Sequence, residues 1–212
     1  MSGDPWLRWP ATVAFLTIAG YCVARLAAAH RAPGGYPGRH RAADLAHVLM
    51  GVGMAAMASP VGGPLPQAGW LTVFFLLAVW FAGSWWRTRR IGRSETDDLG
   101  WHAGGLHHAL GALAMLYMLA AMPHAGHDQS PWFAAHVAGD LEPGAALPAL
   151  GWALAGYFLV ASVLVMARTD WRTAPRAASG ATPPILRAPR LTATCEATMA
   201  LGNGLLLLAM LS

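Results

Sequence analysis

The apolar residues of this chain are gathered into six runs, separated by connections rich in Gly, Pro or Arg. Each run is near the roughly 20 residues that an α-helix needs to cross the hydrocarbon of a bilayer. The pattern therefore predicts an all-α membrane protein in which six transmembrane helices form a single transmembrane domain, residues 1–212. The predicted spans are residues 9–29, 43–60, 69–86, 99–122, 146–168 and 191–211.

The positive charges alternate between the two sides of this predicted bundle. All 14 basic residues are Arg, and apart from Arg8 they lie at or beside the first, third and fifth connections. The second and fourth connections, residues 59–68 and 123–145, contain none. The positive-inside rule therefore predicts that the N and C termini are both non-cytoplasmic, in the bacterial cytoplasmic membrane.

Composition supports lipid as the solvent of the chain. Only 11% of its residues are charged, whereas soluble domains carry about 25%. A net charge of +4 would suggest nucleic acid in a soluble protein, but here the arginines flank apolar runs and mark topology. We therefore expect a lipid bilayer as partner and no nucleic acid.

A pattern H-x6-M-x2-M occurs on two of the even-numbered spans, and the last span has a weaker copy. Each of these spans follows an apolar partner helix that ends in Arg. The chain therefore predicts three helical hairpins related by a pseudo-threefold repeat, with the even-numbered helices at the centre. The repeated residues are His47, Met54 and Met57, then His108, Met115 and Met118, and finally Cys195 and Met199.

At about 100° per residue, the sulfur and imidazole side chains of each even-numbered helix fall on one face. Thioether, thiolate and imidazole form the ligand set that suits Cu(I). We therefore expect a metal-binding protein that binds Cu(I) and transports or delivers it. The candidate metal ligands are Asp44, His47, Met50, Met54, Met57, His108, Met115, Met118, Met122, Cys195, Glu196 and Met199.

Simpler interpretations exist for several of these side chains. Methionine fills irregular gaps in a core without binding anything, and Asp44 could cap its helix at the membrane surface. We interpret Cys22, on the first helix, as a packing residue away from the stripes. His107 points about 100° from His108, so we expect only one of the two to be a direct ligand.

The stripe His47, Met50, Met54 and Met57, with counterparts on the fourth and sixth helices, resembles an uncharacterised actinobacterial family of small polytopic membrane proteins, described only as a domain of unknown function. The resemblance covers most of the chain and implies the membrane fold but no activity. The sixth helix departs from a complete methionine ladder, since Asn203 and Leu206 stand where it would continue. The Met-x3-Met spacing also resembles that of trimeric eukaryotic copper channels, in which three chains supply what one chain would supply here.

Two other functions fit the same residues. A membrane cytochrome would use His47 and His108 as axial ligands of haem b. A zinc-dependent intramembrane hydrolase would use Asp44, His47, His108 and Glu196 around the metal, with water in an open position. The sequence is compatible with an enzyme and with a transporter. It is also compatible with a homo-oligomer and with a subunit of a larger membrane complex.

The predicted topology can be tested by cysteine labelling of intact cells. A cysteine introduced at Ser130 should react with an impermeant reagent, and one at Ser179 should not, because the arginine clusters place Ser179 in the cytoplasm. The unmodified chain gives the background from Cys22 and Cys195. The reverse labelling pattern would overturn the topology.

Overall fold

The computed structural model describes residues 5–31, 38–90, 105–121, 147–169, 185 and 188–211. In these ranges the chain forms six α-helices, and four of them, α1, α3, α5 and α6, are long and apolar enough to cross a membrane. The all-helical membrane class is therefore confirmed. The helices are α1 (Pro5–Arg31), α2 (Gly38–Ala58), α3 (Gln67–Arg90), α4 (Gly105–Ala121), α5 (Pro148–Arg168) and α6 (Pro189–Leu211).

The other two helices correspond to the second and fourth predicted spans. Helix α2 begins at Gly38, five residues before the predicted start of its span, and thus includes polar residues that a hydropathy pattern leaves out. Helix α4 is apolar, and 17 of its residues are described. The rest of the predicted fourth span, residues 99–104 and Met122, lies outside the described residues.

Proline marks the start of three helices. Pro5, Pro148 and Pro189 are the first residues of α1, α5 and α6. Proline suits this position because the backbone N–H that it lacks would have no acceptor within the helix. Local sequence thus fixes where these helices begin, whatever their later packing.

Helices that are consecutive in the chain pack most extensively as pairs: α1 with α2, α3 with α4, and α5 with α6. The even-numbered helices α2, α4 and α6 also contact one another, which agrees with their expected central position. Large apolar side chains of the odd-numbered helices, such as Trp80 on α3 and Val163 on α5, are exposed. These outward faces are the ones that lipid would cover.

Arginine side chains join the ends of α1 and α2. Arg8 donates from Nε to the carbonyl oxygen of Ala58 and from Nη2 to that of Ser59, each at 3.0 Å. Arg41 donates from Nη2 to the carbonyl oxygen of Ala29 at 3.1 Å. Each helix thus accepts hydrogen bonds from an arginine of the other at its last turn or just beyond it, where carbonyl oxygens have no acceptor role within the helix. The two helices are antiparallel.

The other two pairs are antiparallel as well. Gln67, at the start of α3, donates from Nε2 to the carbonyl oxygen of Leu119 near the end of α4, at 2.6 Å. Gly151, near the start of α5, lies against the side chain of Leu211 at the end of α6. Tyr117, near the end of α4, donates its hydroxyl to the carbonyl oxygen of Leu147 just before α5, at 3.2 Å. The start of α1 and the end of α6 therefore lie at the same end of the bundle, opposite the end where most arginines lie.

Glycines allow the central helices to approach closely. A methyl group on Gly53 of α2 would lie 2.6 Å from Cζ of Phe74 on α3 and 3.0 Å from Cε of Met115 on α4. Packing of this kind, rather than the hydrophobic effect, drives helices together in lipid. The glycine therefore allows α2, α3 and α4 to approach at this distance without displacing Phe74 or Met115.

Gly53→Ala should lower the thermal stability of the purified protein in detergent. Overpacking costs about 1–3 kcal/mol, which exceeds the gain of about 1 kcal/mol that alanine brings to a helix over glycine. Gly83→Ala on α3 is the matched control, because no atom lies within 4 Å of its added methyl group. Equal melting temperatures for the two variants would contradict the close approach at Gly53.

Candidate metal centre

The methionines singled out by the sequence converge in the interior of the bundle. Six of the seven methionines on the described parts of α2, α4 and α6 are buried in one apolar cluster, together with aromatic residues of the odd-numbered helices, and Met210 is partly buried against it. The sequence therefore predicts correctly that these side chains avoid lipid. The six methionines are Met50, Met54, Met57, Met115, Met118 and Met199. Met122 lies outside the described residues.

Several of these thioethers fill spaces beside glycines of neighbouring helices. Sδ of Met50 lies 3.1 Å from the position of a methyl group on Gly111 of α4. Cε of Met54 lies 3.5 Å from the corresponding position at Gly202 of α6. These contacts bring thioether side chains of α2 to both other central helices, although at Gly202 the ring of Phe15 lies closer, 2.5 Å from the same position. Methionine also fills irregular spaces in cores that bind no metal. The contacts therefore show where these side chains lie but do not distinguish packing from metal binding.

His47 and His108 meet at one end of the methionine cluster. Both side chains are buried, and their ring centroids lie 5.0 Å apart with an interplanar angle of 64°. Phe81 stacks on His108 at 4.9 Å. As the two imidazoles lie here, they contact each other and leave no space for a porphyrin between them. The haem alternative stays a prediction that this arrangement does not favour.

Cys22 joins this polar region, although the sequence placed it away from the stripes. Its sulfur and the ligand atoms of Asp44 and His47 all lie within 4.8 Å of one another. The three residues are 1%, 3% and 4% exposed. The predicted position of Cys22 is therefore wrong: α1 contributes a soft ligand beside the first histidine of the repeat.

The register of the first hairpin explains this proximity. The Arg8 and Arg41 hydrogen bonds pair the start of each helix with the end of the other. In such a hairpin, residues equally far from the connection lie side by side, and Cys22 is then level with the turn from Asp44 to His47. The hairpin pattern in the sequence could have found this neighbour, whereas the face of a single helix could not.

Arg25 is a second residue whose place the sequence did not predict. We expected it to mark topology, but its side chain is buried, with Nε 3.4 Å from Oδ2 of Asp44. It also donates from Nη1 to Oγ1 of Thr192 on α6. Asp44 is the seventh residue of α2, so its interpretation as a helix cap is wrong. The ion pair and this hydrogen bond together join α1, α2 and α6 inside the bundle.

Glu196 and Cys195 lie on the α6 side of the same region. Oε1 of the fully buried Glu196 is 4.0 Å from Nε2 of His107, and Nδ1 of His107 is 2.8 Å from the hydroxyl of Tyr157. Cys195 is half-buried. The carboxylate thus lies beside His107, which a hydrogen bond also joins to Tyr157 on α5.

The zinc alternative required Asp44, His47, His108 and Glu196 around one ion. Among the described residues, the compact group of ligand atoms contains Asp44 and His47 but neither His108 nor Glu196. In their place it contains the thiol of Cys22. The hydrolase therefore stays a prediction, and the donor set that is assembled here is softer than the one it would use.

Residues 39–210 match the family described as Domain of unknown function (DUF5134), and the chain belongs to that family. The predicted membership of a domain-of-unknown-function family is thus confirmed. The match extends from α2 to α6, whereas Cys22 and Arg25 precede it. Neither a curated protein nor a solved structure matches the chain significantly.

The buried ion pair makes a testable contribution to stability. Arg25→Met should destabilise the purified protein by about 3–5 kcal/mol, because it leaves the charge of Asp44 buried without Arg25. The double variant Arg25→Met/Asp44→Leu should recover most of that loss, since both charges are then gone. Thermal unfolding in detergent measures both effects. A double variant no more stable than the single one would contradict the pairing.

Proposed function

We propose that this DUF5134 protein is an integral membrane Cu(I)-binding protein, which holds the ion between α2, α4 and α6 and transports it or delivers it to an acceptor. The observation that carries the proposal is the convergence of buried sulfur and imidazole side chains from these helices. Leucine would serve as well as methionine for contact with lipid. Sorting of methionine to the interior therefore favours a role for its sulfur.

Thioethers suit the passage of Cu(I) through an apolar bundle. They are soft ligands that select Cu(I) over hard cations, and they carry no charge that would have to be buried. Successive weak ligands also let an ion leave each position again, which conduction requires. Met50, Met54 and Met57 offer such ligands along α2, and Met115 and Met118 continue them on α4.

The same proposal includes the architecture in which the ligands are arranged. Three hairpins, α1–α2, α3–α4 and α5–α6, would be related by a pseudo-threefold axis, and the repeated H-x6-M-x2-M pattern and the pairwise packing support this. With the termini non-cytoplasmic, His47 and His108 lie towards the cytoplasmic side. The methionines then extend towards the outer face of the bacterial cytoplasmic membrane.

The double variant Met54→Leu/Met115→Leu should reduce the number of Cu(I) ions bound, or their affinity, in the methionine cluster while the protein stays folded. Leucine nearly conserves volume and apolarity, so the cost should stay below about 1.5 kcal/mol per site. Binding is measured by titrating Cu(I) against a chromophoric Cu(I) chelator under reducing conditions. Mg(II) and Ca(II) should not compete, because they prefer oxygen ligands.

Met166→Leu on α5 is the matched control for this variant. Its side chain is 41% exposed, so the same chemical change is made outside the central cluster and should leave Cu(I) affinity as in the wild type. A Met54/Met115 variant that binds Cu(I) like the wild type would show that these methionines only pack, and the proposed role of the cluster would fail.

A further inference from the structure

We propose that Cys22 and His47 form the strongest Cu(I) site of the bundle, and that the Arg25–Asp44 ion pair beside them makes this site selective for a monovalent ion. The inference rests on the proposed function for the identity of the ion. It adds the ligand pair, a residue outside the family match and the physical basis of selectivity.

The spacing of the ligand atoms fits an ion with few ligands. Bonds of the length that zinc makes, about 2.3 Å to sulfur and 2.0 Å to nitrogen, place two ligands on opposite sides of an ion about 4.3 Å apart. Cys22 and His47 have their ligand atoms within 4.8 Å of each other. They belong to different helices of one hairpin, and this upper limit is close to the separation that a shared ion requires. Thiolate and imidazole are both ligands that suit Cu(I).

The charges around this pair distinguish monovalent from divalent ions. Metal binding displaces the proton of the Cys22 thiol, so Cu(I) replaces one positive charge by another and leaves the net charge of the site unchanged. A divalent ion adds one positive charge to a buried site, which is unfavourable unless a carboxylate offsets it. Asp44 is close enough, but Arg25 already balances it at 3.4 Å. The other buried carboxylate of the described residues, Glu196, lies 4.0 Å from His107 and outside the compact group of Cys22, Asp44 and His47.

The site also lies where an ion can continue into the methionine cluster. The His47 ring contacts that of His108 on α4, and Met50 is one helical turn beyond His47 on α2. Met50 in turn packs against Gly111 of α4. An ion held by Cys22 and His47 therefore has its next soft ligand within one turn, on the path from the arginine-rich end.

The ligand pair is tested on the purified full-length protein in detergent, with Cu(I) titrated against a chromophoric chelator. Cys22→Ser keeps the size of the side chain but removes the soft ligand, and should reduce Cu(I) affinity at least about tenfold. Met166→Leu again serves as the control. Wild-type affinity in Cys22→Ser, or a loss seen in Cys195→Ser instead, would overturn the proposed site.

Selectivity is tested by the ratio of Zn(II) affinity to Cu(I) affinity within each sample, a quantity that a merely structural role would not change. In Arg25→Met, the carboxylate of Asp44 can offset the additional positive charge of Zn(II). The ratio should therefore rise at least about tenfold, because a nearby charge shifts a binding equilibrium at a buried site by this order of magnitude. Arg25→Lys keeps the charge and should keep the wild-type ratio. Asp44→Asn should lower the ratio, which provides a second test if Arg25→Met does not fold.

The outcomes separate this inference from the proposed function. A wild-type protein that binds no Cu(I) would overturn both. Cu(I) binding that is lost in Met54→Leu/Met115→Leu but kept in Cys22→Ser would overturn the Cys22–His47 site alone. An unchanged Zn(II) to Cu(I) ratio in both Arg25→Met and Asp44→Asn would overturn the charge-based selectivity.

Discussion

The buried ion pair between Arg25 and Asp44 is the interaction on which the polar half of this bundle depends. A charge in an apolar interior requires a partner, and here the two side chains supply each other across α1 and α2. The hydrogen bond from Arg25 to Thr192 extends the connection to α6. Because the pair fixes the position of Asp44, it also fixes the turn that carries His47, and Cys22 lies against that turn.

In the apolar half, packing and ligand placement use the same contacts. Lipid gives helices no hydrophobic reason to associate, so close approach at small residues takes that role. Glycines at positions 53, 111 and 202 provide the space, and thioethers of neighbouring helices occupy it, alone at Gly111 and together with the rings of Phe74 and Phe15 at the other two. The sulfurs are therefore brought together whether or not they bind metal. Only a change that keeps volume and removes sulfur can tell the two roles apart.

Much of the fold and part of the site could be predicted from the sequence because they depend on one helix at a time. Hydropathy located the helices, and the shared face of His47, Met50 and Met54 predicted that they point inwards. Cys22 and Arg25 were misplaced because their environment depends on the register between two helices. The start of α2 was missed because residues 38–42 continue the helix without adding apolar surface.

The repeated motif does not produce repeated surroundings, and this gives the proposed site a direction. His47 lies against a thiol and a carboxylate, whereas the equivalent His108 is stacked on Phe81. On α6 the third copy has a half-buried thiol in place of histidine, beside a carboxylate that faces His107. A ring of three identical subunits would offer the same ligands from each subunit. In a single chain the three hairpins can carry different residues at equivalent positions, so the chain can place its strongest ligands at one end and leave weaker, neutral thioethers along the rest of the path.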